Sequence, residues 1–97
     1  MEKRQDFMTQ RAWYLYVLEC EGDRLYTGIS VDVEARLLAH RQGKGAKFTQ
    51  SFPPRRLLFS ARFADRASAS RAEYDFKRLT ATEKREFLRR NPTRETI

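Results

Sequence analysis

Residues 13–20, Trp-Tyr-Leu-Tyr-Val-Leu-Glu-Cys, form an aromatic and branched run without a helix breaker. Such a run predicts a buried strand. Glu21-Gly22-Asp23 follows as a turn, and Arg24–Ile29 reads as a second strand, closing an antiparallel hairpin. Asp32 is placed to cap a helix over Val33–Gln42, with Gly43 ending it. The next stretch, Gly43-Lys44-Gly45-Ala46-Lys47, reads as a flexible basic loop, and Pro53-Pro54 marks a further break. Arg56–Phe63 has strand composition. Asp65 then caps a helix reaching about Leu79, along which Ala69, Ala72, Phe76 and Leu79 trace an apolar stripe. Thr80-Ala81-Thr82-Glu83 fits a capping box and opens another helix.

The predicted order is β-β-α-β-α-α. The fold class is therefore α+β, a small antiparallel or mixed three-stranded sheet flanked by helices. One domain is expected over residues 12–90. Residues 1–11 read as an N-terminal arm, and residues 91–97 as a C-terminal tail in which Pro92 discourages helix.

A chain of 97 residues has room for one modest core. Lys and Arg number 20 against 13 acidic residues, a formal charge of +7. The excess is uneven: residues 1–48 carry 8 basic and 7 acidic side chains, residues 49–97 carry 12 and 6. A basic half suits a polyanion, because each cation seated on a phosphate releases a counterion. Cys20 is the single cysteine, so an intramolecular disulfide is excluded and a cysteine-based zinc site lacks partners; a small core residue is the expected role. The first residues are charged, without the apolar segment of a signal peptide, and no apolar run approaches a membrane span. A cytoplasmic protein with no membrane partner is the expectation.

Several residues invite chemistry. Tyr14 and Tyr16, two apart on a strand, share a face, and Tyr26 lies on the partner strand. Aromatic packing is the ordinary explanation of such tyrosines; convergence into one functional patch is the other. Gly28 ends its strand where a backbone or ligand can approach closely. Arg36 and His40, the only histidine, stand four apart on one helix face. Arg36 offers a planar fork to phosphate and His40 a proton acceptor near neutral pH. Glu73 borders the apolar stripe and needs a partner: a cation such as Lys77 one turn on, or a metal ion.

Read together, these residues resemble the GIY-YIG nuclease superfamily, in its small standalone bacterial single-domain branch. Tyr14-Leu15-Tyr16 stands at the first motif and Tyr26-Thr27-Gly28 at the second. Arg36 and His40 follow on a helix, Glu73 on a later one, and Gly43–Thr49 matches the loop typical of that branch. The match covers Trp13 to Leu79 and beyond. Tyr14 replaces the first motif's glycine, and Ile29-Ser30 follows the second motif where excision-repair relatives carry a lysine. Arg36, Lys44 and Lys47 are then the candidates to lower a tyrosine pKa.

The resemblance implies a phosphodiester hydrolase, an endonuclease using Mg²⁺ (or Mn²⁺). Glu73 would anchor the metal. Tyr26 or Tyr16 would act as general base, Arg36 would stabilise transition-state charge, and His40 would relay a proton. Tyr14, Gly28, Lys44, Lys47, Arg55, Arg56 and Lys77 would contact nucleic acid. DNA of little sequence preference is the expected substrate, single-stranded or a repair or recombination intermediate. Targeting would come from the basic surface or from a protein partner. Two rivals stand beside this reading: a nucleic-acid-binding module that keeps the fold without cleavage, and a small basic interaction protein.

Overall fold

A computed structural model describes residues 11–92; residues 1–10 of the expected arm and 93–97 of the expected tail lie outside the described residues. The first two strands are β1 (Trp13–Cys20) and β2 (Arg24–Ser30). Helix α1 (Val33–Arg41) is capped by Asp32, whose carboxylate accepts from the Ala35 amide at 3.0 Å. A short helix, α2 (Lys47–Ser51), follows, then β3 (Pro54–Phe63), α3 (Arg66–Lys77) and α4 (Ala81–Arg90).

The sheet order is β2-β1-β3, antiparallel throughout. The strand with the most apolar sequence thus lies in the middle, where both faces are covered. Side chains alternate between those faces. Tyr16, Leu18 and Cys20 point to one, where Val33 and Leu37 of α1 and Phe48 and Phe52 around α2 pack on them. Val17 points to the other, against Phe76 of α3 and Leu88 and Phe87 of α4. Cys20 is fully buried, as expected of a small core residue. The capping box predicted at Thr80 is present, with Thr80 and Glu83 bonding each other's amides at 3.1 and 2.8 Å.

Four boundaries and one element differ from the sequence reading, β2 running one residue on to Ser30 and α1 ending one residue early at Arg41. β3 begins at Pro54 rather than Arg56, because Cys20 pairs opposite Pro54 past an irregularity in register. α3 stops two residues short of the expected Leu79, ending at Lys77 with Arg78 as its cap. The larger difference is α2, five residues in a segment expected to be loop. Its sequence, Lys-Phe-Thr-Gln-Ser, is too short to show a helical period. Tertiary contact holds it: Phe48 stacks on Tyr26 with ring centroids 5.8 Å apart, and Arg24 lies 4.0 Å over the Phe52 ring.

Phe76 is 6% exposed and meets the Phe87 ring edge-on at 5.7 Å. Phe76→Ala is expected to destabilise the fold by about 3–5 kcal/mol, the usual cost of emptying a buried aromatic site, as read from urea denaturation.

Candidate active site

Tyr16 and His40 meet under α1. β1 carries Tyr16 on the face that α1 covers, and the last turn of α1 brings down His40; each is 1% exposed. The Tyr16 hydroxyl lies 3.0 Å from His40 Nε2. On the ring's far side, His40 Nδ1 lies 2.7 Å from Thr49 Oγ1 on α2, and that hydroxyl bonds the Ala46 carbonyl at 2.9 Å. A continuous buried chain of polar groups therefore runs from the central strand through α1 to α2.

Two glycines make room for this chain. Gly28 pairs opposite Tyr16, and a Cβ there would stand 2.6 Å from the Tyr16 hydroxyl. A Cβ on Gly45 would overlap the His40 ring at Nδ1. The close approach expected at Gly28 is thus made by the protein's own tyrosine, and Gly28 is buried beneath it. Tyr26, half-buried on β2, sets its ring edge-on to His40 at 5.0 Å and tilted to Tyr16 at 6.3 Å. The tyrosines of the two motifs do converge.

The electrostatics correct one expectation. Arg36 does favour the Tyr16 phenolate, but burial outweighs it, and neighbouring Tyr26 and the Glu73 charge push the same way as burial; the Tyr16 pKa rises to about 12. Tyr16 is a hydrogen-bond donor at neutral pH. Burial, with Arg36 adding to it, holds the His40 pKa below its ordinary value, so the imidazole is neutral. Both Arg36 and Glu73 therefore act on the Tyr16 hydroxyl, one from α1 and one from α3.

Other expected contacts are already engaged. Lys77 Nζ lies 3.0 Å from Glu73 Oε2, and Arg56 Nε lies 2.8 Å from Glu19 Oε1, directly opposite on β1. Each of these two cations is thus paired with a carboxylate in this structure while its side chain stays exposed. Lys44, Lys47 and Arg55 are exposed and in no ion pair among the described residues; Lys44 and Lys47 border the His40 loop. Tyr14 is half-buried on the Tyr16 face. Thr49 and Gly45 were quoted above only as parts of a loop pattern. The signal pointing to them was a lone histidine on a helix followed by small and hydroxyl residues, one of which can partner its second nitrogen.

Glu73 is half-buried on α3, with Lys77 as its ion-pair partner. Among the described residues, no group of three His, Cys, Asp or Glu side chains is placed to hold a metal ion. A closed zinc site is therefore not built here, whereas one carboxylate suits a hydrated Mg²⁺ whose shell a substrate phosphate completes.

The fold and this cluster define a family. A family model described as the GIY-YIG catalytic domain matches residues 12–86, and the chain belongs to the GIY-YIG family. Among curated proteins it is 50% identical to a UPF0213 protein of Cupriavidus necator over 87% of this chain and 91% of that one. A UPF0213 protein of Streptococcus agalactiae is 44% identical over 80% of this chain and 89% of its own. Among solved structures, the solution structure of the UPF0213 protein BH0048 from Bacillus halodurans matches with a TM-score of 0.57 and 35% identity, covering 86% of this chain and 88% of that one. The family is the one the resemblance indicated, and among the described residues no helix is long and apolar enough to cross a membrane.

His40 is the only histidine, so acid stability reports on it. Its folded pKa is lowered, so below the ordinary value near 6.5 the unfolded chain binds a proton that the folded one refuses. Stability is expected to be flat above about pH 7 and to fall on acidification below about 6.5, by at most about 1.4 kcal/mol per pH unit. Chemical denaturation across pH 5–8 measures this, and an unchanged midpoint would contradict a neutral buried His40. Gly45→Ala is expected to cost about 1–3 kcal/mol by overpacking the ring, seen as a lowered melting temperature.

Proposed function

We propose that the protein is a nuclease that hydrolyses phosphodiester bonds in nucleic acid, with Mg²⁺ (or Mn²⁺) held at Glu73. The observation that carries this reading is the hydrogen bond between the Tyr16 hydroxyl and a neutral His40, on which Arg36 and Glu73 both act. A core needs neither a buried imidazole nor a half-buried carboxylate beside a tyrosine, whereas these are groups that proton transfer and metal binding at a phosphate use.

In this scheme the attacking water gives its proton to the Tyr16 oxygen as the Tyr16 proton passes to His40 Nε2. The imidazole makes a tyrosine of pKa about 12 a usable base, because the phenolate never has to exist free. Arg36 is the fork that stabilises charge gathering on the phosphoryl oxygens. Glu73, paired with Lys77 in this structure, is the carboxylate that would hold a divalent cation, and such an ion would supply charge stabilisation to the phosphodiester. Lys44, Lys47 and Arg55 hold flanking phosphates, which position a strand without reading its sequence. DNA with little sequence preference is the substrate we favour. One observation supports Tyr26 as the tyrosine that meets the water instead: it is half-buried where Tyr16 is 1% exposed. Tyr16 and His40 would then serve as the support behind it.

The test is incubation of end-labelled single-stranded DNA, duplex DNA and RNA with Mg²⁺ or EDTA. Metal-dependent cleavage is expected, reduced on the order of 10²–10³-fold in Arg36→Ala and abolished in Glu73→Ala with binding retained. Tyr16→Phe and Tyr26→Phe separate the two tyrosine assignments, the true base costing on the order of 10²-fold or more. Binding without cleavage in every lane would refute the nuclease reading and leave a binding module.

A further inference from the structure

The geometry points to Thr49 as a positioning residue: we propose that its hydroxyl fixes His40 in the tautomer protonated at Nδ1, leaving Nε2 as the acceptor that faces Tyr16. The protons along this closed chain can be counted. A carbonyl oxygen only accepts, so the 2.9 Å contact between Thr49 Oγ1 and the Ala46 carbonyl consumes the hydroxyl's one proton. The 2.7 Å contact with His40 must then be donated by the imidazole, which places a hydrogen on Nδ1. A neutral imidazole carries one such hydrogen, so Nε2 presents its lone pair to Tyr16 at 3.0 Å and the phenol donates.

The opposite tautomer costs one hydrogen bond and leaves one buried donor unmet, the Tyr16 hydroxyl, while the Ala46 carbonyl keeps its amide donors from Thr49 and Gln50. Thr49 would have to turn its proton from the Ala46 carbonyl to Nδ1, and Tyr16 would receive a hydrogen from Nε2 while its own proton lost its acceptor. His40 and Thr49 are each 1% exposed, so in the folded protein water does not take the place of Thr49 at Nδ1. The groups facing the ring from the surrounding elements are Tyr16 on β1, Tyr26 on β2, Arg36 on α1 and Thr49 on α2; the single ion among them, Arg36, is a cation that cannot accept a proton from Nδ1. Thr49 is therefore the group that selects the tautomer. Gly45 lets it do so, since any side chain there would occupy the space of Nδ1. The short helix α2, absent from the expected loop, is what brings the hydroxyl under the ring: the Thr49 amide bonds the same Ala46 carbonyl at 3.1 Å.

The inference rests on the nuclease reading for its effect on turnover, but the tautomer can be read without any turnover. A tag-free, full-length chain has a single histidine, so long-range ¹H–¹⁵N correlation spectra of the side chain report His40 alone. The wild type is expected to show the hydrogen on Nδ1. Thr49→Ser, which keeps the hydroxyl, is expected to retain that pattern. Thr49→Val, which keeps the shape and removes the hydroxyl, is expected to move it toward Nε2–H, with cleavage falling on the order of 10²-fold against a near wild-type rate in Thr49→Ser. A hydrogen on Nε2 in the wild type would overturn the proposal, and so would an unchanged Nδ1–H in folded Thr49→Val. If the valine variant does not fold, the wild-type spectrum still tests the tautomer and Thr49→Ala, which also lacks the hydroxyl, tests its cause: an unchanged Nδ1–H there would overturn the proposal. Absence of cleavage with the expected spectra would strike the nuclease reading and leave the tautomer assignment standing.

Discussion

A buried imidazole must be partnered on both nitrogens, and that constraint organises the site. His40 is 1% exposed, so an unmet nitrogen would cost about 1–3 kcal/mol. The two partners come from different layers: Tyr16 from the central strand and Thr49 from a five-residue helix. No buried polar side-chain atom among the described residues is left without a partner. The same bonds that satisfy the ring therefore fix the distance between sheet and helices, and a functional group and a structural pin become one object.

The sheet divides its labour by face. Alternation along β1 sends Val17 to a wholly apolar cluster with Phe76, Phe87 and Leu88. It sends Tyr16, one residue earlier, to the face that holds His40. Both faces carry apolar packing, and only the Tyr16 face adds the buried polar chain, a single residue apart in the sequence. Glu73 belongs to the helix that supplies Phe76 to the apolar side, yet its charge is felt at the Tyr16 hydroxyl. The packing of α3 is thus what sets the position of that charge.

Much of this was legible in the sequence, for physical reasons. The strands of the hairpin announced themselves by an unbroken apolar run, and three helices by side-chain caps at Asp32, Asp65 and Thr80, all of which bond the expected amides. The convergence of Tyr16, Tyr26 and His40 followed from strand parity and helix spacing together with the family resemblance. What was hidden depends on tertiary contact. Helix α2 is too short for a period, and it exists because Phe48 and Phe52 find aromatic and cationic partners. The rise in the Tyr16 pKa needed a measure of burial that no spacing provides. The engagement of Arg56 with Glu19 needed the register of β3 on β1.

That register has a consequence at the outer edge of the sheet. β3 opens on Pro54, which has no amide hydrogen to offer, and its pairing with β1 slips twice, leaving Arg55 and Leu58 without opposite residues. Arginines at 55, 56 and 62 add like charges along the same strand. A neighbouring molecule approaching that margin would find an uneven row of donors and acceptors and a repulsive fringe, so the ladder cannot be extended there by a flat strand. A sheet of only three strands, with two margins to protect, has made one of them a poor template for aggregation.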